Sequence, residues 1–105
     1  MSTIANTAET IKVAVTRGDA LIENKNLPYP SVIKIDVEGY EEEVLKGLLA
    51  TLTRPECRAV FCEMHFTLLA ERGEKYAPIR IQKLLKDAGF KTTWVDASHL
   101  AGYKL

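Results

Sequence analysis

The fold is decided by the stretch Val32–Glu41, which reads VIKIDVEGYE. Its first residues are mostly β-branched and apolar, and this pattern predicts a buried strand over Val32–Val37. Gly39 permits the sharp turn that must follow, because glycine tolerates dihedral angles that other residues avoid. In an open parallel sheet, ligands bind beyond the carboxyl ends of the strands. Asp36 and Glu38 are therefore expected at that edge.

The rest of the chain continues this pattern of alternating strands and helices. Two amphipathic helices are predicted, Tyr40 to about Leu52 and Pro78–Ala88, together with strands over Arg58–Met64, Lys91–Val95 and His99–Leu105. A short strand over Ile11–Val15 and a short helix opened by Gly18 and Asp19 precede them. This order predicts an α/β fold with a mainly parallel sheet, one antiparallel strand near its C-terminal edge and helices on the sheet faces. Residues 1–12 are expected to form a poorly defined arm, and residues 13–105 a single α/β domain.

Composition excludes several classes of protein. Fourteen basic residues balance fourteen acidic residues in 105, so no net charge favours nucleic acid or an anionic membrane. No apolar run approaches the roughly 20 residues that span a bilayer, and the first residues lack a signal-peptide pattern. We therefore expect a cytoplasmic protein with no membrane or nucleic-acid partner. Cys57 directly precedes the predicted strand Arg58–Met64 and Cys62 lies within it, so the two are expected to point to opposite faces, which favours buried, reduced thiols.

Several motifs occur together in the order found in one family. They are Asp19-Ala20-Leu21-Ile22, Lys34-Ile35-Asp36-Val37-Glu38-Gly39-Tyr40-Glu41, Val44-Leu45-Lys46-Gly47, Glu63-Met64-His65, Leu84-Leu85 with Ala88-Gly89-Phe90, and His99-Leu100. In these motifs the chain resembles the FkbM-like methyltransferases. The resemblance implies a Rossmann-like methyltransferase sheet whose last strand inserts antiparallel between its two predecessors. It also implies S-adenosylmethionine (SAM) as cofactor and methyl transfer to a hydroxyl group of a small molecule or sugar.

One feature of that family is missing from the sequence. Such enzymes bind SAM mainly through a glycine-rich turn in their first half, and this sequence contains no G-x-G-x-G. The resemblance therefore implies a partial domain, equivalent to the second half, and leaves open whether the chain is itself an enzyme. The alternative function is a non-catalytic α/β remnant or assembly module that pairs with another chain. Unless Ile11–Val15 covers it, the edge of Val32–Val37 is expected to be covered by self-association or by a partner chain.

Four side chains are predicted to form the catalytic site: Asp36, Glu38, Glu63 and His65. Glu63 and His65 share a face near the end of the second strong strand, and a histidine near carboxylates can act as a general base. The resemblance assigns cofactor binding to Asp36 and Gly39.

Simpler interpretations compete with each of these roles. Lys34 could pair with Asp36 or Glu38 on an exposed sheet face, and His65 could cap a strand end. The predicted ligand types would suit Mg²⁺ or Mn²⁺, but no compact ligand spacing exists, so the sequence predicts no metal. The acidic run Glu41–Glu43 is interpreted as a solvated helix start.

Overall fold

The computed structural model describes residues 2–5, 10–13, 18–24, 26 and 28–105. Within them, the strands are β1 (Ser2–Ala5), β2 (Thr10–Val13), β3 (Val32–Ile35), β4 (Ala59–Glu63), β5 (Lys91–Trp94) and β6 (His99–Tyr103). The helices are α1 (Gly18–Asn24), α2 (Glu41–Lys46), α3 (Leu49–Thr53), α4 (Phe66–Glu71) and α5 (Ala77–Asp87). None of these helices is long and apolar enough to span a membrane.

The strands form one mixed sheet in the order β2-β1-β3-β4-β6-β5. Among the six strands of the described residues, only β3 and β4 pair in parallel, and every other neighbouring pair is antiparallel. The α/β class is confirmed, but the prediction of a mainly parallel sheet is wrong. Reversed β6 lies between β4 and β5 and so makes two antiparallel pairs, while the β1–β2 hairpin adds antiparallel pairs at the other edge. Strands β3, β4 and β5 nevertheless run in the same direction, so their carboxyl ends meet at one edge.

The N-terminal residues contribute to the sheet where the structure describes them. Strand β1 lies within the arm predicted for residues 1–12. Strand β2 begins in that arm and covers the first three residues of the predicted strand Ile11–Val15. The last two residues of that predicted strand lie outside the described residues. Strand β1 pairs with β3, placing Ile4 opposite Ile35 and Ala5 opposite Lys34. Part of the β3 edge is thus covered from within the chain. Covering by another chain remains a prediction.

The core lies between one face of the sheet and helices α2, α3 and α5. Alternate strand residues point into it, and the apolar stripes of the helices meet them: Ile33, Ile35, Val60, Cys62, Leu100, Leu45, Leu48, Leu52, Ile81 and Leu85. Each of these side chains is almost completely buried, and burying one aliphatic side chain contributes about 1.5–3 kcal/mol. The other face is more open, with Lys34 and Phe61 exposed.

The predicted helix over Tyr40–Leu52 is divided into two helices, α2 and α3. The interruption follows Gly47, whose carbonyl oxygen accepts a hydrogen bond from the backbone N–H of Asp19 at 2.8 Å. The Asp19 carboxylate then accepts hydrogen bonds from the backbone N–H groups of Ala50 and Thr51, at 2.8 and 2.9 Å. These are the donors that a helix start leaves unsatisfied. A residue distant in sequence therefore caps α3 and makes the break stable.

Other local predictions agree with the structure more closely. The helix predicted over Pro78–Ala88 is α5, with proline in its first turn. Gly89 follows it with φ of +102°, as expected for a glycine at a helix end. Cys57 and Cys62 are free and buried. Helix α4 had no counterpart in the sequence prediction.

Candidate functional site

Three of the four predicted catalytic side chains converge at the carboxyl edge of β3 and β4. Asp36 follows β3, Glu63 ends β4 and His65 begins the turn into α4. One side-chain atom of each, a carboxylate oxygen or an imidazole nitrogen, lies within 4.8 Å of the other two. His65 Nε2 is 3.4 Å from Asp36 Oδ1. The parallel pairing of β3 with β4 explains this convergence, because the two strands end side by side.

Glu38 is the predicted catalytic residue that does not join this group. Strand β3 ends at Ile35, so the alternation that was to place Glu38 beside Asp36 stops before it. The backbone then turns through two left-handed positions, Glu38 with φ of +51° and Gly39 with φ of +97°. The side chain of Glu38 is exposed on this turn.

Glu41 is a site residue that the sequence interpretation missed. The sequence pattern predicts a solvated helix start here, yet the side chain of Glu41 is completely buried. Its Oε1 atom lies 2.6 Å from His65 Nδ1 and accepts a hydrogen bond from the His65 backbone N–H at 3.1 Å. The prediction of a solvated run is therefore wrong for Glu41. The available signal was the resemblance itself, since Glu41 and His65 both fall in the quoted motifs.

The contact with Glu41 fixes the orientation of the His65 ring. A carboxylate can only accept, so Nδ1 carries the hydrogen and Nε2 presents a lone pair toward Asp36. Burial opposes the charged imidazole, but the hydrogen bond that His65 donates to Glu41 and the negative charges of Glu41, Glu63 and Asp36 outweigh it and raise the pKa of His65. The ring can therefore accept a proton at Nε2 or bind a cation there.

Burial also governs the thiol next to this cluster. Burial, followed by the charges of Glu41, Asp36 and Glu63, raises the pKa of Cys62 far above its ordinary value. The thiolate form of Cys62, which is the reactive form, is therefore disfavoured.

The turn at Gly39 is held by helix α4. Arg72 donates a hydrogen bond to the Gly39 carbonyl oxygen, and its guanidinium lies 4.0 Å from the centre of the Tyr40 ring. A Cβ atom added at Gly39 would lie 3.3 Å from Leu68 Cβ. Both the left-handed φ and the approach of α4 require glycine here.

A second buried acid lies beside Glu41 on α2. Glu42 accepts a bidentate pair of hydrogen bonds from Arg80 of α5, both at 2.9 Å, and Arg80 also contacts Glu74. Hydrogen bonding to Arg80, which outweighs the effect of burial, lowers the pKa of Glu42. The solvated interpretation is thus wrong for Glu42 too, and this ion pair links α2 to α5.

The structure does not support the simpler interpretation in which Lys34 forms an ion pair with Asp36 or Glu38. Lys34 is exposed, and within the described part of the chain it forms no ion pair with Asp36 or Glu38. Within the described residues, Asp36, Glu63 and His65 together bring carboxylate oxygens and an imidazole nitrogen close enough to contact one bound group.

Comparison with known proteins identifies a family and one curated relative. A family model described as the methyltransferase FkbM domain matches residues 1–92. The hexuronic acid methyltransferase AglP of Haloferax volcanii is 33% identical over 87 residues, which are 83% of this chain and 32% of that protein. The chain thus spans about a third of the length of this relative. No solved structure matches significantly.

Proposed function

Given that this chain belongs to the FkbM methyltransferase family, we propose that it supplies the acceptor side of an O-methyltransferase site that uses SAM as methyl donor. The observation that supports this proposal is the convergence of Asp36, Glu63 and His65 at the ends of two parallel strands. Such an edge is where α/β proteins bind their ligands. Buried Glu41 adds support, because it holds His65 in one orientation.

The chemistry asks for a place where a hydroxyl group is held and loses its proton. SAM supplies an electrophilic methyl group, so the protein's contribution is positioning and acceptor deprotonation. A hydroxyl group at the cluster would donate a hydrogen bond to a carboxylate oxygen of Asp36 or Glu63. Glu38, exposed on the neighbouring turn, is proposed as a further contact for the bound molecules.

Only part of a SAM site fits the described residues. The half-exposed carboxylate of Asp36 can accept hydrogen bonds from the donor. Gly39 has no side chain, so a contact with it would be made through its backbone, and Leu68 lies on the side where a Cβ would stand. The sequence offers no glycine-rich turn. We therefore propose that Asp36 and Gly39 contact the methyl-bearing end of the donor alone.

The proposed acceptor is a hydroxyl group of a small molecule or sugar. The name of the Haloferax relative specifies hexuronic acid, so hexuronic acid glycosides are the first acceptors to test. The structure supports a polar acceptor in general, because the cluster is built from hydrogen-bond acceptors.

The test is transfer of a labelled methyl group from SAM to these glycosides. Missing several hydrogen bonds of about 1 kcal/mol each removes most of the roughly 8 kcal/mol of a micromolar complex, so we expect weak SAM binding by calorimetry and slow transfer. Asp36→Asn should reduce transfer to the uncatalysed rate. Glu56 is exposed and precedes the first residue of β4, at the end of the strand opposite the cluster, so Glu56→Gln should not change the rate of transfer. Equal transfer by the wild type and Asp36→Asn would contradict the proposal.

A second candidate function is a non-catalytic module that pairs with another chain. It is favoured by the open sheet face, where Phe61 and Tyr103 are 45% and 41% exposed. Self-association or a partner chain would cover this face or the rest of the β3 edge. Sedimentation equilibrium at high micromolar concentration distinguishes the cases: a dimer weakened by Phe61→Lys supports pairing through this face, and a monomer argues against self-association.

A further inference from the structure

The cluster at the carboxyl edge carries more negative charge than the described residues balance. Carboxylates of Asp36 and Glu41 contact the His65 ring, and Glu63 lies within 4.8 Å of two members of this group. In the described part of the chain, no lysine or arginine pairs with any of these three carboxylates. Three acidic groups around one imidazole repel one another unless a positive charge joins them. We infer that Asp36, Glu63 and His65 bind one hard divalent cation, Mg²⁺ or Mn²⁺.

The spacing of the three side chains suits one ion. Oxygen ligands lie about 2.1 Å from Mg²⁺, so two of its ligands are at most about 4.2 Å apart, and neighbouring ligands are about 3 Å apart. His65 Nε2 and Asp36 Oδ1 are 3.4 Å apart, close to the separation of neighbouring ligands. The largest separation within the group is under 4.8 Å. Side-chain rotations that shorten the Glu63 separations would therefore complete the site.

Glu41 provides independent support from behind the ring. A histidine that binds a metal usually donates its other ring hydrogen to a carboxylate, which fixes the ring and makes the bound nitrogen more basic. Glu41 occupies this position against Nδ1 at 2.6 Å and leaves Nε2 for the ion. Its second oxygen is buried without a hydrogen-bond partner in the described residues. A buried carboxylate with one partner is costly, and a cation bound to the far side of the ring would stabilise it.

The types of ligand select the class of ion. Two carboxylates and one imidazole are hard or borderline ligands, which suit Mg²⁺ and Mn²⁺, whereas soft ions prefer thiolates. The group itself contains no cysteine. The sequence predicts no metal, because Asp36, Glu63 and His65 are not closely spaced along the chain. The adjacent ends of β3 and β4 bring these distant residues together in the structure.

The role of the ion rests on the proposed function, whereas its binding does not. Three protein ligands leave coordination positions open for water or an acceptor hydroxyl. A hydroxyl group bound to a divalent cation loses its proton to water more readily, because the cation stabilises the resulting alkoxide. The same ion would also reduce the repulsion between this acidic edge and an anionic sugar such as a hexuronate.

The inference is tested by titrating the chain with Mn²⁺ and following the signal of free Mn²⁺ by electron paramagnetic resonance. We expect one Mn²⁺ per chain, displaced by excess Mg²⁺. Asp36→Asn and Glu63→Gln should each weaken binding at least about tenfold, within the range that ligand-supporting contacts reach. Glu56→Gln, which removes a carboxylate at the opposite end of β4, should bind as the wild type does. An undiminished signal of free Mn²⁺ with the wild-type chain overturns the inference.

A second measurement separates a lost site from a lost fold. Glu63→Gln removes a like charge from the cluster, so without metal its thermal midpoint should equal or exceed that of the wild type. Mn²⁺ should then raise the midpoint of the wild type clearly and that of Glu63→Gln much less, because the weaker site is filled less. Equal stabilisation of both proteins by Mn²⁺ would place the ion elsewhere and contradict the assignment.

Neither measurement includes SAM or an acceptor, so the site and the proposed function fail separately. Mn²⁺ binding without methyl transfer leaves the cation site intact and argues against the enzymatic role. If methyl transfer persists in the presence of a chelator and the signal of free Mn²⁺ is undiminished by the chain, the cation site is wrong and the proposed function stands.

Discussion

Replacing Gly39 by alanine tests whether the turn after β3 is fixed by packing. A non-glycine residue in a left-handed conformation costs about 1–2 kcal/mol, and Gly39 has φ of +97°. The new Cβ would also lie 3.3 Å from Leu68 Cβ, and overpacking of this kind adds about 1 kcal/mol or more. We therefore expect Gly39→Ala to lower the free energy of unfolding by about 2–3 kcal/mol.

Gly73 provides a matched control for this substitution. It also has a left-handed φ, +74°, but no atom of the described residues outside its own chain neighbours lies within 4 Å of the position of an added Cβ. Gly73→Ala should therefore cost only the conformational part, about 1–2 kcal/mol. Urea unfolding followed by circular dichroism measures both variants. Equal losses would refute the packing argument, and a Gly39→Ala variant that is no less stable than Gly73→Ala but loses SAM binding would favour a ligand role for Gly39.

Three further predictions concern the ion pair, the core and the thiols. Arg80→Met should lower the urea midpoint at pH 7, because Arg80 lowers the pKa of Glu42 in the folded chain. This stabilisation is complete above about pH 4.3, the ordinary pKa of glutamate, and is lost as the pH falls through the lower pKa of Glu42 in the folded state. The urea midpoints of the wild type and Arg80→Met should therefore converge in acid. Leu45→Ala should cost about 3 kcal/mol in urea unfolding, because Leu45 is fully buried and its removal leaves a cavity. Burial raises the pKa of Cys57 to about 11 and protects Cys62 as well, so neither thiol should react with a disulfide reagent at pH 8 until urea is added; rapid reaction of the folded chain would contradict this.

The parts of the fold that the sequence predicted are those with a local signal. The apolar run of β3, the glycine after it and the stripe of α5 each specify an element within a few residues. The sheet pairing depends on contacts that no local pattern contains. The reversed strand β6 inserts between β4 and β5. This position depends on how the last two strands pack against β4, which no local sequence pattern specifies. Only the family resemblance predicted the insertion.

The predicted site shows the same division. Asp36, Glu63 and His65 were found because alternation along a strand and parallel pairing place them at one edge. Glu38 lies on a left-handed turn, where strand alternation no longer applies. Glu41 and Glu43 look alike in a helix start, yet Glu41 is buried and Glu43 is exposed. Glu41 contacts His65 at the start of α4, an element that the sequence did not reveal, whereas Glu43 pairs with Arg72 at the other end of that helix.

The buried position of Glu41 explains why the turn and the cluster depend on each other. Helix α2, which carries Glu41, begins two residues after Gly39, and Arg72 of the residues following α4 holds the carbonyl of that glycine. His65, at the start of α4, takes its orientation from Glu41. A displacement of α4 by a side chain at Gly39 would therefore move His65 and its carboxylate partner together. It follows that Gly39→Ala should weaken Mn²⁺ binding through the position of the imidazole even though Gly39 offers the ion no ligand, whereas Gly73→Ala should leave Mn²⁺ binding unchanged. Wild-type Mn²⁺ affinity in a destabilised Gly39→Ala chain would show that the turn and the cluster are independent.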